Sequence, residues 1–369
     1  MKRRYKIRDY DFKLILLLIA LSIIGIMAVG SANIDYRQKQ MEGVLLGLFL
    51  MVVISFFDYN FFLNFYWILY VLNILLLLLV YTPLGVTTNG ATRWIVIFGF
   101  QFQPSEMTKI LLILFYAQFI MKHREKLNTL IMIGACILLM LPSLLLVYKQ
   151  PNLSTTIMLV IIFCVIMFIG GLSYKIVIPM LAVLLPAFII AFTMVIQPGQ
   201  TLIEPYQQTR ILAWLHPEDY STTEAYQQLN SIMAVGSGQL WGKGLNNNII
   251  GSVKNGNFIS EPQTDFIFAI VGEELGFAGS CAVIILTSAI AIECIICARK
   301  AKDLQGTIIC GGMGAIIGFQ SFMNMSVAIG LLPNTGIPLP FVSYGLTSLV
   351  SLFIGMGFVL NVRLQSIRK

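Results

Sequence analysis

Apolar runs of close to 20 residues recur along nearly the whole chain, and they constrain its fold more than any other feature. At 1.5 Å per residue, a helix of ~20 residues crosses the ~30 Å hydrocarbon layer of a bilayer. Barrel strands would alternate polar and apolar side chains, and these runs do not. With 57% hydrophobic and 11% charged residues among 369, the chain carries more apolar surface than a water-soluble fold can cover. The expected fold is an all-α polytopic integral membrane protein of about ten transmembrane helices. Its spans fall near 14–31, 43–57, 62–81, 107–121, 129–147, 155–170, 176–196, 275–298, 307–330 and 345–361. The whole chain, 1–369, reads as one membrane domain, and the first run stays as a span because no soluble domain follows it.

An even number of spans puts both termini on one side, and Lys and Arg decide which side. Sixteen of the 24 basic residues fall before the first span, in the loops 122–126, 175 and 299–302, or at the C-terminus. Both termini are therefore expected in the cytoplasm. The net charge of +7 is dispersed over short loops, so it reads as a topology signal and excludes a nucleic-acid face. The six cysteines lie in or beside apolar runs, where a thiol behaves as a small hydrophobe. Cys294 and Cys297 form a C-x-x-C without nearby histidines, so no zinc site is expected there.

Between spans seven and eight lies a large extracytoplasmic loop, 197–274, far longer than a turn requires. Its far end runs into apolar sequence from Phe266 to Ala298, too long for one crossing. Gly272-Glu273-Glu274 and Gly276 interrupt that run. Residues 266–274 are expected to dip into the membrane, buried in protein or lining a cavity.

Several positions have side chains suited to chemistry. Gln103-Pro104-Ser105-Glu106 opens the fourth span and Lys109 follows on the same face. A structural ion pair and a functional intramembrane charge are equally weighted readings there. Asp265 ends Glu261-Pro262-Gln263-Thr264-Asp265, before an apolar stretch, as a tunable carboxylate or as a helix N-cap. Ser221 and Glu224 form an expected capping box for a helix running through Met233. Gly236-Ser237-Gly238 and Gly242-Lys243-Gly244 lack the Walker pattern. They make turns or bring backbone N–H groups to a phosphate-bearing lipid. The prolines of Leu332 to Gly345 forbid regular helix. Gln320 and Asn324, four apart, are expected to bond between helices.

Five ordered segments resemble the SEDS family (shape, elongation, division and sporulation) across nearly the whole chain. They are Asn89-Gly90-Ala91-Thr92-Arg93-Trp94-Ile95, Gln103 to Glu106 with Lys109, Gly236 to Gly244, Thr264 to Gly276, and Leu332 to Gly345. Thr335-Gly336-Ile337-Pro338-Leu339-Pro340 resembles the rod-shape branch more than the division branch. One departure is Leu346-Thr347-Ser348, where the family usually has a glycine and two serines. The resemblance implies a peptidoglycan glycosyltransferase of the bacterial cytoplasmic membrane. It would polymerise lipid II at the outer face during elongation, with a class B penicillin-binding protein (a transpeptidase) and other elongation-complex membrane proteins as partners. Asp265 matches the family's essential aspartate, and Glu106 and Lys109 match its charge pair. Arg93, Arg210, Lys243, Gln263, Thr264 and Ser343 are the expected substrate-binding positions.

In that chemistry a carboxylate base takes the proton of the acceptor 4-hydroxyl, a role suited to Asp265. The leaving lipid pyrophosphate needs positive charge, from Lys109, Arg93, Arg210 or a divalent cation (magnesium or manganese) held at Asp265. Direct displacement inverts the anomeric centre. A lipid II flippase and a noncatalytic scaffold for the transpeptidase are the rival readings. The chain shows no internal repeat of the kind transporters use.

Overall fold

A computed structural model describes residues 10–366 except 89–90, 98–99, 198, 202, 247–251, 253–255 and 257. Asn89-Gly90 of the first motif and most of the N-terminal basic residues lie outside this set. The described chain forms thirteen α-helices and one small sheet. The N-terminal half runs α1 (Phe12–Ala32), α2 (Ile34–Phe56), α3 (Tyr59–Asn64), α4 (Tyr66–Leu79), α5 (Pro104–Lys122), α6 (Leu130–Lys149), α7 (Leu153–Ile169) and α8 (Tyr174–Ile196). Then come α9 (Pro205–Leu215), α10 (Tyr226–Ser237), α11 (Ile267–Lys300), α12 (Leu304–Ala328) and α13 (Leu346–Leu364).

Helices lie at every expected span. Seven of them, α1, α2, α6, α8, α11, α12 and α13, are long and apolar enough to cross a membrane, while α4 and α7 are apolar but shorter. The chain is a multi-pass membrane protein. The expected third span is broken at Phe65, whose φ of −102° and ψ of 25° separate α3 from α4.

The all-α expectation missed a three-stranded antiparallel meander, β1 (Gly85–Thr88), β2 (Ala91–Ile97) and β3 (Phe100–Phe102). Gly85 faces Ile95 and Val86 faces Trp94, and Ile95 faces Phe102. Threonine and β-branched residues around Arg93 favour this pairing over helix. Apolar neighbours on either side obscured that local signal.

Helices α5, α12 and α13 form the interior and are buried along most of their length, whereas α8 buries only Val195 among the described residues. Glycine lets α12 approach its neighbours, since a Cβ at Gly312 would lie 3.0 Å from Ile113 of α5. Helix α11 is kinked at Gly276, where φ is 65° and ψ −161°. The short part before the kink is buried from Ile267 to Glu274. Of the two expected interruptions, Gly276 breaks the helix and Gly272 remains within it.

Helix α10 begins later than expected. Ala225 is its N-cap and no side chain caps it, so Ser221 and Glu224 form no capping box. Turn bonds from Thr223 and Ala225 to the Tyr220 carbonyl (3.0 and 3.1 Å) take up that stretch instead.

Candidate active site

Asp265 stands immediately before α11, partly exposed. It is not the N-cap: Phe266 is, and no side chain caps the helix. Its position is set through its own carbonyl and its two predecessors. The Asp265 carbonyl accepts from Asn324 Nδ2 (2.7 Å), the Thr264 carbonyl from Ser343 Oγ (2.6 Å), and the Gln263 carbonyl from Tyr344 N (2.9 Å). None of these bonds uses the carboxylate itself. Glu261, three residues before Thr264, is held in the left-handed region at φ 53°, and local strain of this kind gathers at functional sites.

The loop 332–345 is the frame against which these residues are held. Its prolines block a helix, and its turn closes on Ser343 Oγ, which accepts from Leu339 N at 2.7 Å. Phe341 is buried with φ 61° and packs on Phe353 at 5.0 Å. A Cβ at Gly336, where φ is 67°, would sit 3.3 Å from Asp265 Oδ2. The backbone therefore passes beside the carboxylate where a side chain would crowd it.

Two guanidinium groups act on that carboxylate. Arg93, on β2, donates from Nε to the Gln150 carbonyl (3.1 Å) and from its terminal nitrogen to the Pro151 carbonyl and Tyr206 Oη. Arg210, on α9, lies 5.8 Å from the Tyr206 ring centre and reaches the Asn334 carbonyl at 3.5 Å. Burial, the largest influence, pushes the Asp265 carboxyl up from its ordinary range, and Glu261 adds to this; Arg210 and Arg93 pull it back. Elements distant in sequence thus bring a half-buried carboxylate into the field of Arg93 and Arg210.

Deeper in the bundle, Lys109 Nζ donates to both Glu106 oxygens and to Gln320 Oε1, each at 2.9 Å. The pair expected from the i,i+3 spacing is formed and buried. Its ammonium spends all three donors on these partners.

The model for cell cycle proteins of the FtsW/RodA/SpoVE group matches residues 10–367. This chain belongs to that SEDS family. It is 33% identical to the probable peptidoglycan glycosyltransferase FtsW of Wigglesworthia glossinidia brevipalpis, over 98% of this chain and 95% of that one. It is 32% identical to the peptidoglycan glycosyltransferase MrdB of Escherichia coli K12, over 95% and 93%. Its fold matches a chain from a peptidoglycan synthase complex that coordinates polymerization and crosslinking, with a TM-score of 0.79, 27% identity and coverage of 96% and 97%. The rod shape determining protein RodA of Thermus thermophilus matches with a TM-score of 0.71, 25% identity and 98% coverage of both chains.

Within this SEDS chain the expected site residues separate into groups. Asp265, Arg93 and Arg210 come together. Ser343 and Thr264 direct their hydroxyl protons within the protein: Ser343 Oγ both donates and accepts inside the frame, and Thr264 Oγ1 donates to the Glu261 carbonyl at 2.9 Å. Gln263 is buried and contributes its carbonyl to the same frame. Lys243 is elsewhere, 2.7 Å from Glu273, roughly 9 Å along α11 from its start. A buried carboxylate needs a counter-charge, and Lys243 supplies it.

The nearby glycines serve turns and close packing. The N–H groups of Lys243 and Gly244 donate to the Glu273 and Glu274 carbonyls at 2.9 and 3.0 Å, so they are not directed at a phosphate. Tyr206, which touches both arginines, escaped the sequence reading. Its only signal was a phenol four residues before Arg210, on one helical face.

Proposed function

We propose that this chain is a peptidoglycan glycosyltransferase, polymerising lipid II into glycan strands at the outer face of the cytoplasmic membrane during elongation. Its relatives are named as peptidoglycan glycosyltransferases, one of them as a probable one, and the observation that supports a chemical role here is one half-buried carboxylate, Asp265, in the field of Arg210 and Arg93. A carboxylate with a raised pKa is a better proton acceptor than an ordinary one. Asp265 takes the proton of the acceptor 4-hydroxyl as that oxygen bonds to the donor's anomeric carbon. The bond to the lipid pyrophosphate breaks with its electron pair on the leaving oxygen, and the configuration inverts. Arg210, whose one hydrogen bond among the described residues is the long one to Asn334, has donors left for that charge, and Arg93 adds its field.

Asp265 with the substrate's phosphates is a donor set that suits magnesium or manganese, which needs few protein carboxylates. Such an ion would add positive charge at the leaving group. The one cluster of metal-ligand spacing among the described residues, Asp11, Glu293 and Cys297, is at the far end of α11. It is already occupied by Lys13 and Arg363.

We further propose a class B penicillin-binding protein as partner, consistent with the synthase complex whose chain this fold matches. The basic-residue asymmetry supports a cytoplasmic position for both termini. Purified protein in liposomes, given lipid II with and without the transpeptidase, tests the reading. Glycan polymer is expected; lipid II crossing the bilayer with no polymer would favour the flippase, and neither outcome the scaffold.

A further inference from the structure

The Lys109–Glu106 pair and Asp265 belong to separate elements, yet one face of α12 connects them. Lys109 has no acceptor atom, so the buried Gln320 amide must present Oε1 to it. That choice directs Nε2 the other way, where it donates to the Pro338 carbonyl at 2.9 Å. One turn along α12, Asn324 Nδ2 donates at 2.7 Å to both the Ile337 and Asp265 carbonyls. Two acceptors at one nitrogen fix this amide as well. Gln320 and Asn324 are 0% and 1% exposed, so water does not compete for these bonds.

We infer that Gln320 and Asn324 are positioning residues, and that the Glu106–Lys109 pair acts through them to place Asp265 rather than by touching substrate. The inference rests on the proposed role of Asp265. The ammonium is saturated by Glu106 and Gln320, and the charges acting on Asp265 are those of Arg210, Glu261 and Arg93. What the pair controls is the orientation of the Gln320 amide. Through it the pair controls the 337–338 backbone, which shares Asn324 with Asp265. Arg210 reaches the same loop at Asn334, so base and cation keep their separation only while the loop is held. A displacement of ~1 Å at a reacting group costs about 10²-fold in rate.

The test uses the full chain with saturating transpeptidase, comparing Lys109→Met, Gln320→Met and the double variant. Each single change is expected to lower kcat by about 10- to 100-fold with KM for lipid II within about two-fold. The double variant should be no slower than the slower single one, because both break one chain of contacts. Hydrogen exchange in 337–344 should quicken in all three. Rate losses that multiply, or a slow Lys109→Met with unchanged exchange in 337–344, would overturn the inference. If Lys109→Met fails to insert, Gln320→Met, which removes no charge, decides by the same kcat and exchange readouts. Asp265→Asn is assayed alongside: full activity there refutes the base itself, whereas an inactive Asp265→Asn with multiplying losses refutes only the relay.

Discussion

Replacing Asp265 by Asn separates chemistry from architecture at this site with unusual clarity. The hydrogen bonds that place residues 263–265 run to backbone carbonyls, from Tyr344, Ser343 and Asn324. None of them uses the Asp265 side chain, and the helix N-cap is Phe266. Asn therefore keeps the shape and every framing bond but cannot accept the proton. Loss of a general base costs about 10²- to 10⁴-fold, or about 3 to 5 kcal/mol in the barrier at 1.36 kcal/mol per decade.

Stability should move differently. The folded-state pKa of Asp265 is raised chiefly by burial, so its contribution to stability is present at low pH and lost as pH rises through the folded value. At neutral pH the ionised form opposes folding, and Asn removes that opposition. The thermal midpoint should hold or rise. Initial rates of lipid II consumption by purified protein, with product length and saturating partner, measure the first effect, and thermal unfolding in the same detergent measures the second. A rate within a few-fold of the parent would refute Asp265 as the base. A lost rate accompanied by a lowered midpoint would refute the claim that the side chain is structurally idle.

The acid limb of kcat/KM should lie above the ordinary carboxylate value of ~3.9, because the base form is gained as pH rises through a raised pKa; a pH–rate profile checks this. Arg210→Gln should lower kcat by about 10²-fold, comparable to removing one donor from an oxyanion site, with insertion and thermal midpoint unchanged. Gly276→Ala should be strongly destabilising, by about 2 kcal/mol or more, since φ is 65° and the new Cβ would lie 2.3 Å from Gly242 N; a thermal midpoint equal to the parent's would contradict it. A cysteine at Ser221 should label from outside intact cells and one at Asn128 only after permeabilisation, and the reverse pattern would place the site in the cytoplasm.

Periodicity and composition alone determined most of the architecture. A bilayer requires ~20-residue apolar helices whose backbone is satisfied internally, so the helix positions were written locally in the chain. The Glu106–Lys109 pair was equally legible, because i,i+3 spacing on a helix imposes contact. The sheet around Arg93 was overlooked because its short β-branched stretch is a weak signal beside long apolar runs. Only the tertiary structure decided what surrounds Asp265. Arg93, Arg210, Asn324 and Gly336 come from β2, α9, α12 and the 332–345 loop, and no local pattern records their convergence. It also removed Lys243 from the group and turned Ser343 and Thr264 into joints. A buried charge or hydroxyl must find a partner wherever packing brings one, and that choice is made in three dimensions.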